Sequence, residues 1–315
     1  MKVTAIVCGR KNQQTERLAR IALKSAREAG AEIELINLMD LDIRPCINCQ
    51  ACVRAMREAN FKGKCPLMGD DMAWLDEQVL SSDGLIYVAP MFENAVPGTY
   101  KIMCDRMGPS HDVTFLRGAK ALREAEGRPS GIDERWFKSR AVAFIGHGGS
   151  EWSYLSFPTL AVPAVSMGMD IVDYVRLDWN SDLMLDDARL ALVSRCGAHV
   201  AAMAARPHGE REYIGPEGVC AACHCDVMRI DYETGTAFCA MCGAPGKLAM
   251  VDGKIRVVMD GESMRQSHLF ESGRQIHMAD LRNNAKVRAA MDMEEVRRRV
   301  EPLQAEIPVT RPPRA

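Results

Sequence analysis

The cysteines of this chain cluster in ways that can do chemistry. Of the twelve in 315 residues, four form two C-x2-C knuckles, Cys220 with Cys223 and, after fifteen intervening residues, Cys239 with Cys242. Knuckles at this separation can offer four thiolates to one tetrahedral metal. Cys225 and His224 adjoin the first knuckle, but the matching spacing of the two pairs favours Cys220 and Cys223. A second group holds Cys46, Cys49 and Cys52, three apart, with Cys65 further on. Three thiolates at C-x2-C-x2-C can face an iron–sulfur cube from one loop, here 4Fe-4S, with a fourth ligand from beyond. The same loop can equally be free of metal, with Cys46 and Cys49 in a reversible disulfide or one of them a reactive thiol. Cys8, Cys104 and Cys196 stand alone and are read as buried small hydrophobes. Outside the cysteines, Gly9-Arg10-Lys11-Asn12-Gln13-Gln14-Thr15 joins an apolar run to a helical pattern. The exposed amides and dipole of a helix start make such a turn an anion site, with Arg10, Lys11 and Thr15 as added donors. His147 lies in a glycine-rich turn. It is either a proton donor to substrate or cofactor, or a loop histidine bonded to backbone.

The elements that must position these groups alternate. Strands are expected at Val3–Cys8, Glu32–Leu38, Gly84–Ala89, Ala141–Gly146 and Ile171–Leu177. Helices are expected at Gln13–Ala29, Met72–Ser81, Gly98–Met107, Ser153–Met167 and Asp186–Ala205. That alternation implies an α/β fold with a parallel sheet covered on both faces. Five strands suit the flavodoxin-like order 2-1-3-4-5, which places ligands at the carboxyl ends of the strands. A Rossmann fold is the competitor, and the absence of G-x-G-x-x-G counts against it. Three turns should meet at that rim: Gly9–Thr15; Pro90, Met91, Phe92, Glu93, Asn94 and Ala95; and Gly146, His147, Gly148, Gly149 with Trp152. Glycines let backbone approach a flat ring, and Phe92 or Trp152 can wall it.

The run Pro90-Met91-Phe92, Val96-Pro97-Gly98-Thr99-Tyr100-Lys101 and Cys104-Asp105-Arg106-Met107 resembles the second flavin loop of the NADPH-dependent FMN reductase family. Cys46 to Cys52, with Cys65 and Asp70-Asp71-Met72, resembles its iron–sulfur flavoprotein branch. The resemblance covers about the first 180 residues in element order. It implies bound FMN, with its phosphate on the first turn (Gly9, Arg10, Lys11, Asn12, Gln14, Thr15), and electrons drawn from NAD(P)H or another low-potential donor. Two departures stand out. Asn12-Gln13-Gln14-Thr15 replaces the family's serine-rich turn, and Arg57 to Lys64 lengthen the gap before Cys65. Asp105 and Arg106 are read as a helix-end ion pair, and the charged stretch 111–140 as a lid or an oligomer contact.

Past a linker at 206–219, the metal-bound β module spans 220–260. Its expected hairpins are Val227–Tyr232 with Thr236–Phe238, and Lys247–Val251 with Lys254–Met259. So small a module needs a metal staple to fold. It resembles a zinc ribbon, and its Cys242-Gly243-Ala244-Pro245 ending is also similar to rubredoxin-type iron sites. Zinc is preferred to iron, because the first knuckle lacks the rubredoxin-like glycine and aromatic. The rest, 261–315, reads as a helical and extended tail. It contains a helix at Asp280–Val300, a solvated Arg297-Arg298-Arg299, and prolines at 302, 308, 312 and 313 that break any helix beyond. The last dozen residues form an arm, disordered or laid on a neighbouring subunit.

A net charge of −2 gives no reason to expect nucleic acid as a partner. With no export signal and no run long enough to span a bilayer, a cytoplasmic protein is expected. The function expected is an FMN oxidoreductase over residues 1–205, feeding a quinone, nitro compound or other small acceptor, or the nearby cluster. The rival is an electron carrier or redox sensor with a redox-protein partner. A homodimer or homotetramer is expected by analogy with open flavin sites.

Overall fold

The computed structural model describes residues 1–55, 63–67, 69–179 and 182–310. Most of the lengthened gap before Cys65, residues 56–62, and the end of the expected arm, residues 311–315, lie outside the described residues. The strands are β1 (Lys2–Val7), β2 (Glu32–Asn37), β3 (Gly84–Pro90), β4 (Ala141–His147) and β5 (Asp170–Leu177). They pair in parallel in the order β2-β1-β3-β4-β5, the flavodoxin-like arrangement. The helices around them are α1 (Gln14–Glu28), α2 (Ala51–Ala55), α3 (Met72–Ser81), α4 (Gly98–His111), α5 (Val113–Ala125), α6 (Ser156–Leu160), α7 (Val162–Met167) and α8 (Asp187–Ala204).

Alternation along each central strand feeds two cores. Leu85, Tyr87 and Ala89 of β3, with Val142 and Phe144 of β4, join Leu75, Tyr100, Leu116 and Phe157 in one. Ile86, Val88, Ala141, Ala143 and Ile145 join Leu18, Ala22, Val193 and Val200 in the other. The second is roofed by α1 and α8, which approach so closely that a Cβ at Gly197 would lie 1.9 Å from the Ala22 carbonyl oxygen. Any side chain there would force the helices apart.

Three differences from expectation have local causes. The expected helix Ser153–Met167 is split into α6 and α7, with Pro163 in the first turn of α7. Proline fixes that start and lacks the amide needed to continue a helix from before it. Helix α4 reaches His111 only across a kink at Gly108, followed by Pro109, so its regular part ends at the expected Met107. The charged stretch after His111 forms α5, capped by Asp112. It buries Val113, Leu116 and Ala119, while Trp136 beyond it is fully buried. That stretch is thus a packed part of the body, not a lid.

Beyond α8 an antiparallel sheet follows in the order β6 (Met228–Asp231), β7 (Thr236–Cys239), β8 (Pro245–Val251), β9 (Lys254–Val258). The stretch expected to be a linker is anchored: Arg211 is held by Asp170 at 2.8 Å, and the Ile214 amide donates to the Val172 carbonyl. The short α9 (Gly261–Arg265), α10 (Glu271–Ala289) and α11 (Met293–Glu306) complete the chain. Two helices thus replace the one expected at Asp280–Val300, and Pro302 lies inside α11 rather than ending it. The chain forms two compact units, Met1–Gln275 and Ile276–Ala315. Among the described residues no helix is long and apolar enough to cross a membrane.

Candidate active site and metal centre

The turn after β1 is fastened from below. Asn37, at the end of β2, donates through Nδ2 to the Gly9 carbonyl (2.8 Å) and to Glu16 Oε1 (2.8 Å). The other oxygen of Glu16 accepts from the Asn12 amide at 2.8 Å. Burial acts to raise Glu16, but the bonds from Asn37, the Asn12 backbone and Arg20 overcome it and hold the carboxylate below its usual range. Asn12 takes a left-handed φ of 57°, and the cap residue of α1, Gln13, makes no side-chain cap bond. Arg10, Lys11 and Asn12 are exposed. A Cβ at Gly9 would lie 2.4 Å from Thr15 Oγ1, so only glycine fits against that hydroxyl. Asn37 and Glu16 were missed by sequence reasoning. An asparagine ending a strand and a glutamate in a first helical turn are too common to be a signal.

The second turn is tight. Phe92 and Ala95 exchange backbone bonds of 2.9 and 3.1 Å around Glu93 and Asn94, both left-handed at φ 47° and 67°. Two consecutive residues of this kind are the signature of a type I′ turn. Phe92 is left 64% exposed. The Met91 amide donates to the His147 carbonyl at 2.7 Å, and Asn94 Oδ1 accepts from the Leu155 amide at 3.2 Å. These bonds tie the second turn to the third. There the Gly148 amide bonds the Leu177 carbonyl, Gly146 is buried at the end of β4, and Gly149 and Trp152 are exposed.

His147 joins the third turn to the first. Its Nε2 lies 2.9 Å from Thr15 Oγ1, and both side chains are buried. Burial alone pushes His147 down to about 4, so the ring is neutral at pH 7. Beside Thr15, the buried Nε2 of Gln14 has no hydrogen-bond partner. A buried amide donor at a helix start is a mark of a missing acceptor. The unpartnered donor, the glycine-only approach and the adjoining basic residues all fit the phosphate end of FMN.

Of the first cysteine group, Cys46, Cys49 and Cys65 lie in irregular backbone and Cys52 in the short α2. Cys46 is exposed, Cys49, Cys52 and Cys65 are half-buried, and the flanking Asn48 and Gln50 both have φ above 50°. Burial raises the Cys52 thiol, with smaller contributions from the charges of Cys65 and Cys49. Arg106, 2% exposed, donates through Nε to Cys65 Sγ at 3.2 Å, through Nη1 to the Arg44 carbonyl, and pairs with Asp70. The expected Asp105–Arg106 pair is therefore replaced: Asp105 pairs with Lys101 one helical turn back, and Arg106 turns inward to hold the cysteine loop.

The second group converges. The Sγ atoms of Cys220, Cys223, Cys239 and Cys242 all lie within 4.8 Å of one another, and all four residues are buried. Cys220 and Cys242 are 3.6 Å apart and Cys223 and Cys239 3.4 Å. A tetrahedron with Zn–S bonds of about 2.3 Å has edges of about 3.8 Å, so the thiols stand near the spacing one ion requires. Among the described residues this is the sole metal-competent grouping found. His224 does not join it; its ring stacks on Tyr213 at 3.7 Å. Cys225 is buried beside the set, with Sγ 3.8 Å from the Val227 carbonyl. A cavity of about 770 Å³ is lined by His224 together with Ser139 and Asp170, which flank the amino ends of β4 and β5. His224 thus sits at the opposite end of the sheet from the three turns.

Comparison with known proteins agrees with this geometry. The family model described as NADPH-dependent FMN reductase matches residues 1–172. A flavone synthase of Aspergillus candidus is 28% identical over 303 residues, covering 92% of this chain and 91% of that protein. An iron-sulfur flavoprotein of Methanosarcina thermophila is 33% identical over 180 residues, covering 53% and 90%. The solved structure of a flavone reductase superposes with a TM-score of 0.86 at 27% identity, covering 99% of this chain and all of that one. The chain belongs to the NADPH-dependent FMN reductase family, as an FMN oxidoreductase whose flavodoxin-like body is continued by a four-cysteine module.

Proposed function

We propose that this chain binds FMN at the carboxyl rim of its parallel sheet and uses NAD(P)H to reduce a planar, conjugated small molecule, a flavone-like or quinone-like acceptor. The observation that carries the site is the unpartnered Nε2 of Gln14 beside the Thr15–His147 bond. When bound, FMN supplies the acceptance of a hydride and its return to an acceptor. The chain's residues do the rest. Gln14, Thr15 and the first-turn amides of α1 hold the phosphate, with Arg10 and Lys11 adding positive charge. With neutral His147 in the tautomer protonated at Nε2, its ring donates to Thr15 Oγ1, which leaves the Thr15 proton free to point at a phosphate oxygen. It is a positioning residue in this reading, because a ring held near pKa 4 is a poor proton source at neutral pH. The turns Pro90–Ala95 and Gly146–Gly149 present backbone to the flavin ring, and exposed Phe92 and Trp152 offer flat apolar surface to an acceptor. Support for the acceptor class comes from the full-length structural relative, a flavone reductase; the flavone synthase supports a flavone-like ligand, with flavone as product.

The four-cysteine module is proposed to hold zinc, with no position left open for catalysis. The loop of Cys46, Cys49, Cys52 and Cys65 supports a second reading, an iron–sulfur relay beside the flavin, favoured by the buried Arg106 that bonds Cys65. A cytoplasmic location fits both readings. Anaerobic mixing with NADPH or NADH tests the first: flavin absorbance should bleach, then return on adding a flavone or quinone. A flavin that bleaches but is reoxidised by neither acceptor class contradicts the proposed substrate.

A further inference from the structure

Helix α11 carries Met293, Val296, Val300, Leu303 and, just past its end, Ile307, at steps of three, four, three and four residues. That is the a/d spacing of a coiled-coil seam. None of it is buried: Val300 is 39% exposed, Leu303 57% and Ile307 71%, and no residue of the helix is buried at all. A helix of this length is marginal in water by itself, and a wet apolar stripe marks an interaction surface.

We propose that this seam is the docking surface for the same helix of a second copy of the chain, in antiparallel orientation. Self-complementary charge beside the seam points to a second copy. In heptad positions Arg299 and Glu306 flank it on one side, and Arg297 and Gln304 on the other. Setting Val300 opposite Leu303 is a two-fold symmetric register. It brings Arg299 of each copy alongside Glu306 of the other, giving two opposite-charge pairs from one sequence. The parallel register would set Arg299 against uncharged Gln304. Within each helix Glu295 already bonds Arg298 and Arg299, which steadies the basic side without covering the seam. Leu281 and Val287 of α10 and the following Met291 are exposed in the same unit and add apolar area toward the about 800 Å² per partner of a stable interface.

The test is light scattering on size-exclusion fractions of the full chain across the micromolar range, with circular dichroism and zinc content as controls. The wild type should run as a dimer or an even multiple. Val300→Glu with Leu303→Glu should raise the dissociation constant at least about tenfold while helicity and zinc are retained. Glu306→Arg alone should weaken assembly, and Arg299→Glu with Glu306→Arg should restore it. A monomer at every concentration, an assembly indifferent to the seam variants, or a charge swap that fails to restore it would each overturn the proposal.

Discussion

The two cysteine groups contain similar motifs and are built in opposite ways. Cys220, Cys223, Cys239 and Cys242 are buried with their sulfurs converged, held by short knuckle turns such as the Gly243 amide on the Cys239 carbonyl. Cys46, Cys49, Cys52 and Cys65 are exposed or half-buried, with left-handed residues on either side of Cys49, Cys52 in the short α2 and a buried arginine behind Cys65. Burial and convergence make a thiolate set a closed staple. Partial exposure and backbone strain are how chains keep groups available for chemistry. On the proposed reading this contrast gives the module a structural role and the loop a reactive one, although spacing alone ranks both as metal motifs.

The largest effect should come from breaking the closed set. Cys239→Ser is expected to lower metal retention at least about a hundredfold and to unfold the module, because ligand binding and folding are one process there. FMN absorbance on the body should persist. The counterpart, Cys49→Ser, should leave the module's metal content unchanged; any iron and sulfide lost with it would establish a cluster on the loop. Metal analysis and visible spectra of the two variants separate the roles. If both variants lose the same metal, the contrast fails.

Next come the residues that bridge the rim. Thr15→Val or Gln14→Leu should each weaken FMN binding about 10- to 100-fold, the loss expected for a hydrogen bond to a charged group. Gln14→Leu should change thermal stability little, while Thr15→Val, which removes a hydrogen-bond partner of buried His147, should also lower it. His147 adds a pH signature. Its ordinary value of 6.5 is pushed down to about 4 by burial, so the unfolded chain takes up the proton first. The His147 contribution to stability should therefore be constant above about pH 6.5 and fall by roughly 3 kcal/mol toward pH 4. His147→Gln should remove that slope in a denaturation series while keeping FMN bound. A slope that survives the substitution assigns it to other groups. The smallest effect is expected at the exposed wall: Trp152→Ala should raise the acceptor KM about 3- to 10-fold with kcat nearly unchanged.

Much of this was legible because strands and thiol spacings are local signals. The β3 run Gly84–Ala89 is apolar at every position, as a strand covered on both faces must be, and the knuckle spacing picked out the converged thiols over Cys225 and His224. Helix α5 was obscured because its charged residues mask the apolar positions at Val113, Leu116 and Ala119. The inward turn of Arg106 to Asp70 and Cys65 joins residues some forty positions apart, and no window of sequence contains it. The Asn37–Glu16 brace was hidden for the same reason.

The central claim is that the linked turns at Gly9–Thr15, Pro90–Ala95 and Gly146–Gly149 form an FMN site. The most direct measurement is a fluorescence titration of flavin-free chain with FMN, run beside Gln14→Leu and Thr15→Val. The account predicts saturable quenching at one FMN per chain, with both variants clearly weaker. A folded chain that does not bind FMN, or variants that bind as tightly as the wild type, would contradict it.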